Sequence, residues 1–325
     1  MSSNLPEFTD VSLPPDKPVV SPGQTILNSL HREWLIAVLL FFITALCVTV
    51  AGVFYRTGDI RFLATLRAIS FQPGLIHYGF LFSIPLISIL LAHELGHFFA
   101  CRYYGMTCTP PYFIPIPISI TGTMGAFIRI KSPFPNKRAL FDVGIAGPLA
   151  GFAFVLPFLC IGISLSQVIP RGVLPPGSLN FGEPLLFRFL GAVILGYSPD
   201  RQDMMAHPIA MAAWVGLLAT SLNLLPIWQL DGGHIAYAIL GRLRHRQCSV
   251  AGLAFLILLS LWRWETPSYL FFALLLIIFG WRMRFYHPRT LSEDEPLGRG
   301  RVVLGLVALL ILVVSFIPIP VSFGF

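Results

Sequence analysis

The chain has 325 residues, of which 55% are hydrophobic and 11% charged, and its mean hydropathy is +0.77. A soluble globule of this size could not bury so much apolar surface, so the composition predicts a polytopic membrane protein in contact with the lipid bilayer. The net charge of +7 does not indicate a nucleic-acid partner, because Lys and Arg are scattered between apolar segments rather than gathered on one basic face.

Residues 1–33 are predicted to form a disordered cytosolic leader. The first 30 residues contain five prolines, scattered acidic residues and no apolar run, unlike a secretory signal. Residues 34–74 are predicted to contain the first transmembrane span, an apolar run over 34–55, and the loop that follows it. If this end lies in the cytoplasm, Lys and Arg are more frequent on the cytoplasmic side of the spans, as the positive-inside rule requires.

Further apolar runs follow, and each is compared with the length of about 20 residues that a helix needs to cross a bilayer. They lie at 75–103, 140–165, 207–225, 250–262, 269–281 and 302–318. The last three are short, and residues 235–241 could form an additional short helix. The apolar segment 184–197 is predicted to lie along the interface or to re-enter the membrane. We therefore predict an α-helical membrane protein with about six to seven transmembrane helices.

The second apolar run contains the pattern H-E-x-x-H in His93, Glu94 and His97. Residues four apart share a helix face, so the two histidines can bind one metal ion while Glu94 stands beside its open position as a general base. A soluble helix could carry these residues as an ordinary polar face. In an apolar run, however, unpaired polar groups are costly, so a metal site is the better interpretation.

The segment 112–130 follows this helix and has a different character. It is rich in β-branched residues and contains a glycine turn, so it predicts one or two strands or a membrane-dipping hairpin between the second and third spans.

A catalytic zinc takes three protein ligands and keeps a fourth place for water, so the two histidines need another ligand. Asp231 is the best candidate, because the second and fourth spans run in the same direction and place it at a similar depth. Pro226 would break or kink the fourth helix, and Gly232 and Gly233 allow backbone conformations closed to other residues. Taken alone, this stretch is an ordinary helix-ending turn. His234 is the next candidate ligand.

The two motifs together resemble those of the site-2 protease family. The first of these motifs is His93-Glu94-Leu95-Gly96-His97. The second consists of Asn223, Pro226, Leu230, Asp231 and Gly232. The segment 146–151 is similar to the small-residue segment of that family. Trp228 stands where many relatives have a second proline. The resemblance covers roughly residues 75–245.

The resemblance implies an intramembrane zinc metalloprotease that hydrolyses peptide bonds in or near transmembrane segments, as in regulated intramembrane proteolysis. It implies a Zn²⁺ cofactor with His93, His97 and Asp231 as ligands, Glu94 as general base and Asn223 as a residue that helps to hold the scissile region or its oxyanion. Residues 75–245 would be the catalytic membrane core, and 246–325 the C-terminal spans. Its partners would be transmembrane protein substrates and, as a further partner, an upstream site-1-type protease. The membrane would be the plasma membrane in a prokaryote.

The family has a β element where this chain has the segment 112–130. Such an element could hold an unwound substrate as an added strand through backbone hydrogen bonds, and Gly122, Gly125, Ala126 and Ile128 are the candidate substrate-binding residues. A purely structural hairpin is an equal alternative. The glycines of the third span, Gly144, Gly147 and Gly151, are expected to permit close helix packing and need no catalytic role.

Two other functions could use intramembrane His, Glu and Asp residues. One is a transporter for zinc or another ion, which would need a chain of polar groups through several spans rather than one three-ligand site. The other is an inactive relative that binds membrane segments without cutting them. The presence of the three candidate ligands and of Glu94, four catalytic side chains in all, disfavours it.

Overall fold

The computed structural model describes residues 22–323 except 59–60, 174–178, 263–268 and 282–284, and it describes only the backbone of residues 22–30 and 323. Within this part of the chain, α-helices dominate and strands form three two-stranded sheets. The helices are α1 Pro22–Thr57, α2 Phe62–Phe71, α3 Ile76–Tyr103, α4 Lys137–Ser164, α5 Leu185–Leu195, α6 Pro208–Asn223, α7 Asp231–Leu240, α8 Arg242–Trp262, α9 Leu270–Trp281 and α10 Arg299–Ser315. The strands are β1 Tyr112–Pro115, β2 Thr123–Phe127, β3 Gln167–Pro170, β4 Leu179–Phe181, β5 Gln202–Met205 and β6 Val321–Phe323.

Several helices have the length and apolar character of membrane spans. Among the described residues, the long ones are His31–Thr57, Pro73–Tyr103, Lys137–Ser164 and Arg242–Trp262, and α2, α5, α6 and α9 are shorter apolar helices. Large apolar side chains remain outside the bundle, as at Leu35, Phe42 and Leu306, which are 71%, 65% and 62% exposed. Exposing such a surface to water costs free energy, whereas exposing it to the hydrocarbon of a bilayer does not. The chain is therefore a helical membrane protein.

The helices at the start of the chain differ from the sequence-based expectation. α1 begins at Pro22 and so extends into the predicted leader, of which residues 1–21 lie outside the described residues. Proline is favoured at the first helical position, and hydropathy marks where a helix becomes apolar rather than where its hydrogen bonding begins. α2 lies in the segment expected to be a loop. At ten residues it is too short for the expected length of a membrane span.

α3 lies at the centre of the bundle and packs against α1, α4 and α6. Its side chains Phe82, Leu86 and Ile89 are almost fully buried in the main apolar core. Glycine permits the closest approach to α4, because a Cβ atom on Gly96 would lie 2.4 Å from the carbonyl oxygen of Ala146. The second predicted span therefore packs against three other helices.

The strands β1 and β2 form an antiparallel pair between α3 and α4, with Phe113 opposite Ala126. The pair lies along α1 rather than projecting from the bundle. A Cβ atom on Gly122, in the turn, would be 2.5 Å from the carbonyl oxygen of Cys47, and the Tyr55 hydroxyl donates to the carbonyl of Ile120 over 3.4 Å. The segment 112–130 therefore folds back beside the first span.

The other two sheets join the end of α4 to the start of α6 and to the C-terminal residues. β3 pairs with β5, and β4 pairs with β6. Between them, α5 falls in the segment predicted to lie at the interface or to re-enter the membrane. Leu185, Phe189 and Val193 form an exposed apolar stripe on α5, at 55%, 63% and 66% exposure. These strands have three or four residues each, too few for alternation to reveal them in the sequence.

Candidate metal centre

Two imidazole rings project from one face of α3. The Nε2 atoms of His93 and His97 are 3.1 Å apart, and both residues are nearly buried. Glycines on α4 leave room for these rings, because a Cβ atom on Gly147 would lie 2.1 Å from His97 Nε2 and one on Gly151 would lie 3.1 Å from His93 Cβ. These two glycines therefore make room for the imidazole rings, in addition to the close helix packing expected from the sequence.

Asp231 is the first residue of α7 and directly follows the unwound stretch 224–230 that connects α6 to α7. Gly232 and Gly233 lie in the first turn of α7, and neither has a positive φ. The expectation that they supply unusual backbone conformations is therefore wrong. They supply space instead, because a Cβ atom on Gly232 would lie 1.9 Å from the Leu224 carbonyl oxygen, and one on Gly233 would lie 2.3 Å from the Trp228 carbonyl oxygen. Trp228, and not either glycine, has the left-handed backbone conformation in this stretch, with φ of 47°.

α8 holds this unwound stretch through two buried side chains. The main-chain N–H of Trp228 donates to Ser249 Oγ over 3.0 Å, and His245 Nε2 donates to the carbonyl oxygen of Trp228 over 3.0 Å. Sequence reasoning missed both residues. They stand four residues apart just before the predicted apolar run 250–262, and this spacing, which places them on one face if the helix extends that far, is the signal that could have identified them.

The three candidate ligands form a compact triangle. Asp231 Oδ2 is 3.1 Å from His93 Nε2, and Asp231 Oδ1 is 3.3 Å from His97 Nε2. Ligand atoms bound to one tetrahedral zinc ion at about 2.0 Å stand about 3.3 Å apart, so the observed spacing fits that ion. His97 Nδ1 donates to the carbonyl oxygen of Val143 over 2.7 Å, which leaves a lone pair on its Nε2. Two imidazole nitrogens and a carboxylate that converge in this way suit a cation.

Glu94 and Asn223 complete the polar surface of the site. Glu94 is 5% exposed, and its carboxylate accepts a hydrogen bond from the main-chain N–H of Ile128. Asn223 Nδ2, at the end of α6, is 3.4 Å from His93 Nε2. The carboxylate and the amide therefore adjoin the ligand triangle without being part of it.

A cavity of about 190 Å³ opens on these residues. Ala126 and Ile128 line it, whereas the other two candidate substrate-binding residues do not. Gly122 lies against α1 in the turn, and a Cβ atom on Gly125 would meet no described atom within 4 Å. His234 lines the cavity but is not part of the clustered ligand atoms. The structure thus brings together seven of the predicted site residues, namely His93, Glu94, His97, Ala126, Ile128, Asn223 and Asp231. The alternative ligand His234 lies beside them.

Comparison with known proteins gives consistent findings. The model of peptidase family M50 matches residues 81–261, more than half of the chain. The chain is similar to the probable zinc metalloprotease EGY1, chloroplastic, of Arabidopsis thaliana, at 28% identity over 93% of this chain and 56% of that protein. It is also similar to the probable zinc metalloproteases EGY2, chloroplastic, of Arabidopsis thaliana, at 30% identity over 72% of this chain and 41% of that protein, and of Oryza sativa subsp. indica, at 34% over 51% and 29%. The chain therefore spans about half or less of the length of these curated relatives.

Proposed function

Because the chain belongs to peptidase family M50, the site-2 protease family, we propose that it is an intramembrane zinc metalloendopeptidase. It would hydrolyse peptide bonds in or near transmembrane segments of other membrane proteins, the reaction of regulated intramembrane proteolysis. One observation carries the proposal: His93, His97 and Asp231 converge beside the buried Glu94 within an apolar helical bundle. The family membership does not favour an ion transporter or an inactive relative.

The proposed mechanism assigns a separate task to each side chain. His93, His97 and Asp231 would hold Zn²⁺, which when bound polarises water and the scissile carbonyl. Glu94 takes a proton from the attacking water and returns it to the leaving amine. The Asn223 side-chain amide donates a hydrogen bond to the developing oxyanion. The buried position of Glu94 strengthens these electrostatic interactions, because little bulk water competes for them.

The variant Glu94→Gln tests this proposal. Purified wild-type and variant proteins would be compared for zinc per chain and for cleavage of a membrane-embedded model substrate. We expect the variant to lose cleavage and to keep about one zinc ion per chain, because the carboxylate is a base and not a ligand. Loss of zinc together with cleavage would contradict this role. A zinc transporter would instead keep much of its flux in the variant.

The substrate is proposed to bind along the cavity wall that follows β2. A transmembrane helix hides its amide groups in hydrogen bonds, so it must unwind before one of its peptide bonds can react. Ala126 and Ile128 line the cavity beside Glu94, which supports the addition of the unwound segment as a further strand. Gly122 and Gly125 would then shape the hairpin rather than contact the substrate.

We propose that six to seven helices cross the bilayer, from a set that consists of the long α1, α3, α4 and α8 and the shorter α6, α9 and α10. Residues 75–245 would be the catalytic core, and 246–325 the C-terminal spans. The plasma membrane would be the location in a prokaryote, whereas the chloroplastic relatives favour an organellar membrane in a plant. Transmembrane proteins would be the substrates, and an upstream site-1-type protease would be a further partner.

A further inference from the structure

His234 lines the cavity and has no task in the mechanism above. It lies three residues after Asp231 on α7, and its Nδ1 atom is 2.7 Å from Nε2 of His287. His287 follows α9 and is 3% exposed. A pair of bonded imidazole rings thus connects the cavity wall to a distant part of the chain.

The hydrogen bonds of this pair determine which nitrogen atoms carry hydrogen. His287 Nδ1 is 2.6 Å from the carbonyl oxygen of Pro288. A carbonyl oxygen only accepts hydrogen bonds, so Nδ1 of His287 must be the donor. In the neutral ring, Nε2 of His287 then has a lone pair and accepts from Nδ1–H of His234. It follows that Nε2 of His234 also has a lone pair.

Burial keeps His287 in this neutral form, because desolvation lowers the pKa of its ring to about 4. The segment that carries it is held in place by its backbone. The N–H groups of Leu291 and Ser292 each donate over 2.9 Å, to the carbonyl oxygens of Phe134 and Pro135 respectively. The segment after His287 is therefore bound to the residues that precede α4.

An acceptor in this cavity meets a need that the proposed reaction creates. Unwinding a transmembrane helix exposes main-chain N–H groups, and each one that is buried without a partner is costly. Asn223 and a zinc ion would act on carbonyl groups, and Glu94 would act on water. His234 offers an acceptor for a neighbouring N–H group, since its own ring hydrogen is committed to His287.

We propose that His234 binds the substrate by accepting a hydrogen bond at Nε2 from a main-chain N–H group of the unwound peptide. His287 is a positioning residue that holds the His234 ring in the required tautomer. The inference rests on the proposed proteolytic function for the identity of the ligand. The tautomer itself does not depend on that function, so the two can be tested separately.

Nitrogen-15 NMR of histidine-labelled protein in detergent micelles tests the tautomer in the wild-type chain. The chain has eight histidines, and the variants His234→Gln and His287→Gln identify the two signals. We expect both rings at neutral pH to carry hydrogen on Nδ1 and none on Nε2. Hydrogen on Nε2 of His234, in either a neutral or a charged ring, would overturn the proposal whether or not the protein cleaves a substrate.

Kinetics with a membrane-embedded model substrate test the contact. His234→Leu should raise KM about 10-fold, because one buried donor of the substrate loses its acceptor, and should leave zinc per chain unchanged. His287→Leu should raise KM in the same direction. His287→Gln should keep KM closer to the wild-type value than His287→Leu does, since its amide oxygen can accept from Nδ1–H of His234.

Three results would contradict the contact. An unchanged KM in a zinc-loaded His234→Leu protein would mean that the residue does not bind the peptide, and loss of zinc would make it a ligand. A fall in kcat at constant KM would assign it to the chemical step. If the leucine variants do not fold, the wild-type NMR measurement still decides the tautomer on which the proposal depends. A wild-type protein that cleaves no substrate would contradict the proposed function and leave the NMR result valid.

Discussion

Gly147 on α4 lies where any side chain would meet the metal-binding atom of His97. The added Cβ would be 2.1 Å from Nε2 and 2.5 Å from each of the two adjoining ring carbons. The ring cannot easily turn away, because its Nδ1 donates to the carbonyl oxygen of Val143 on the same helix. The smallest possible substitution at this position should therefore disturb the candidate metal site.

We predict that Gly147→Ala lowers zinc per chain and abolishes cleavage. Alanine is a better helix former than glycine by about 1 kcal/mol, so a loss cannot come from helix propensity. Gly300→Ala on α10 is the matched control, since its Cβ would meet no described atom within 4 Å. Metal analysis of both purified variants gives the answer. Wild-type zinc content in Gly147→Ala would show that the imidazole has room to move.

At the scale of secondary-structure elements, the unwound stretch before α7 depends on α8. Ser249 accepts from the main-chain N–H of Trp228, which occupies a left-handed conformation unusual for a large side chain. The same helix carries Ser260, whose buried hydroxyl has no hydrogen-bond partner among the described residues. Of these two buried serines on α8, Ser249 thus binds the stretch before α7, whereas Ser260 makes no such contact within the described part of the chain.

We predict that Ser249→Ala lowers the free energy of unfolding by about 1–3 kcal/mol, because it leaves a buried N–H group without its acceptor. Cleavage should fall as well, since the stretch positions Asp231. Ser260→Ala should be neutral or slightly stabilising. Thermal unfolding and cleavage rates of the two variants test this pair. Equal stability of both variants would mean that Ser249 does not support the stretch.

The hairpin of β1 and β2 is the second element for which a function is proposed. Proline at position 126 removes a backbone donor, so Ala126→Pro should impair cleavage of a full membrane substrate and spare zinc binding, whereas Ile128→Val should have little effect. Position 126 is preferable to 128 for proline, because the Ile128 N–H also donates to Glu94. Zinc content and thermal stability must be measured first, since proline can unfold a hairpin.

Disulfide trapping provides the direct test of this contact. Single cysteines in 122–130 and in the substrate would be combined in a Glu94→Gln protein that lacks the native cysteines. Efficient crosslinks from other exposed positions but from none within 122–130 would show that the hairpin is structural.

At the scale of the whole molecule, a bound metal ion would join parts of the chain that are far apart in sequence. His93 and His97 belong to α3, and Asp231 begins α7, with α4, α5 and α6 between them in the chain. A ligand that binds only the folded state stabilises it by about 2.7 kcal/mol at 100 times its dissociation constant. Zinc should therefore act as a cross-link of the bundle as well as a cofactor.

We predict that chelation lowers the melting temperature of the wild-type protein and that zinc restores it. Asp231→Ala should show a much smaller shift, weaker zinc binding and no cleavage, whereas Asp200→Ala, at an exposed position, should behave like the wild type. The measurement is thermal unfolding with and without a chelator. Zinc binding of wild-type strength in Asp231→Ala would place the third ligand elsewhere.

The sequence by itself determined those features that depend on local spacing and composition. The apolar runs predicted a helical membrane protein, because a bilayer requires long apolar segments. H-E-x-x-H placed two imidazoles on one helix face, because helical periodicity is a local property. Asp231 was predicted because zinc needs a third ligand and the adjoining residues break a helix.

Only the tertiary structure decided the features that depend on contacts between distant segments. It brings Asp231 Oδ2 within 3.1 Å of His93 Nε2, assigns Gly147 to the space beside His97, and shows that Gly232 and Gly233 provide close packing rather than positive φ. It also places the Ser249 hydroxyl within hydrogen-bond distance of the Trp228 main chain, and His287 beside His234. These pairs are separated by many residues, and no local pattern specifies which distant side chain will meet a given backbone group or ring.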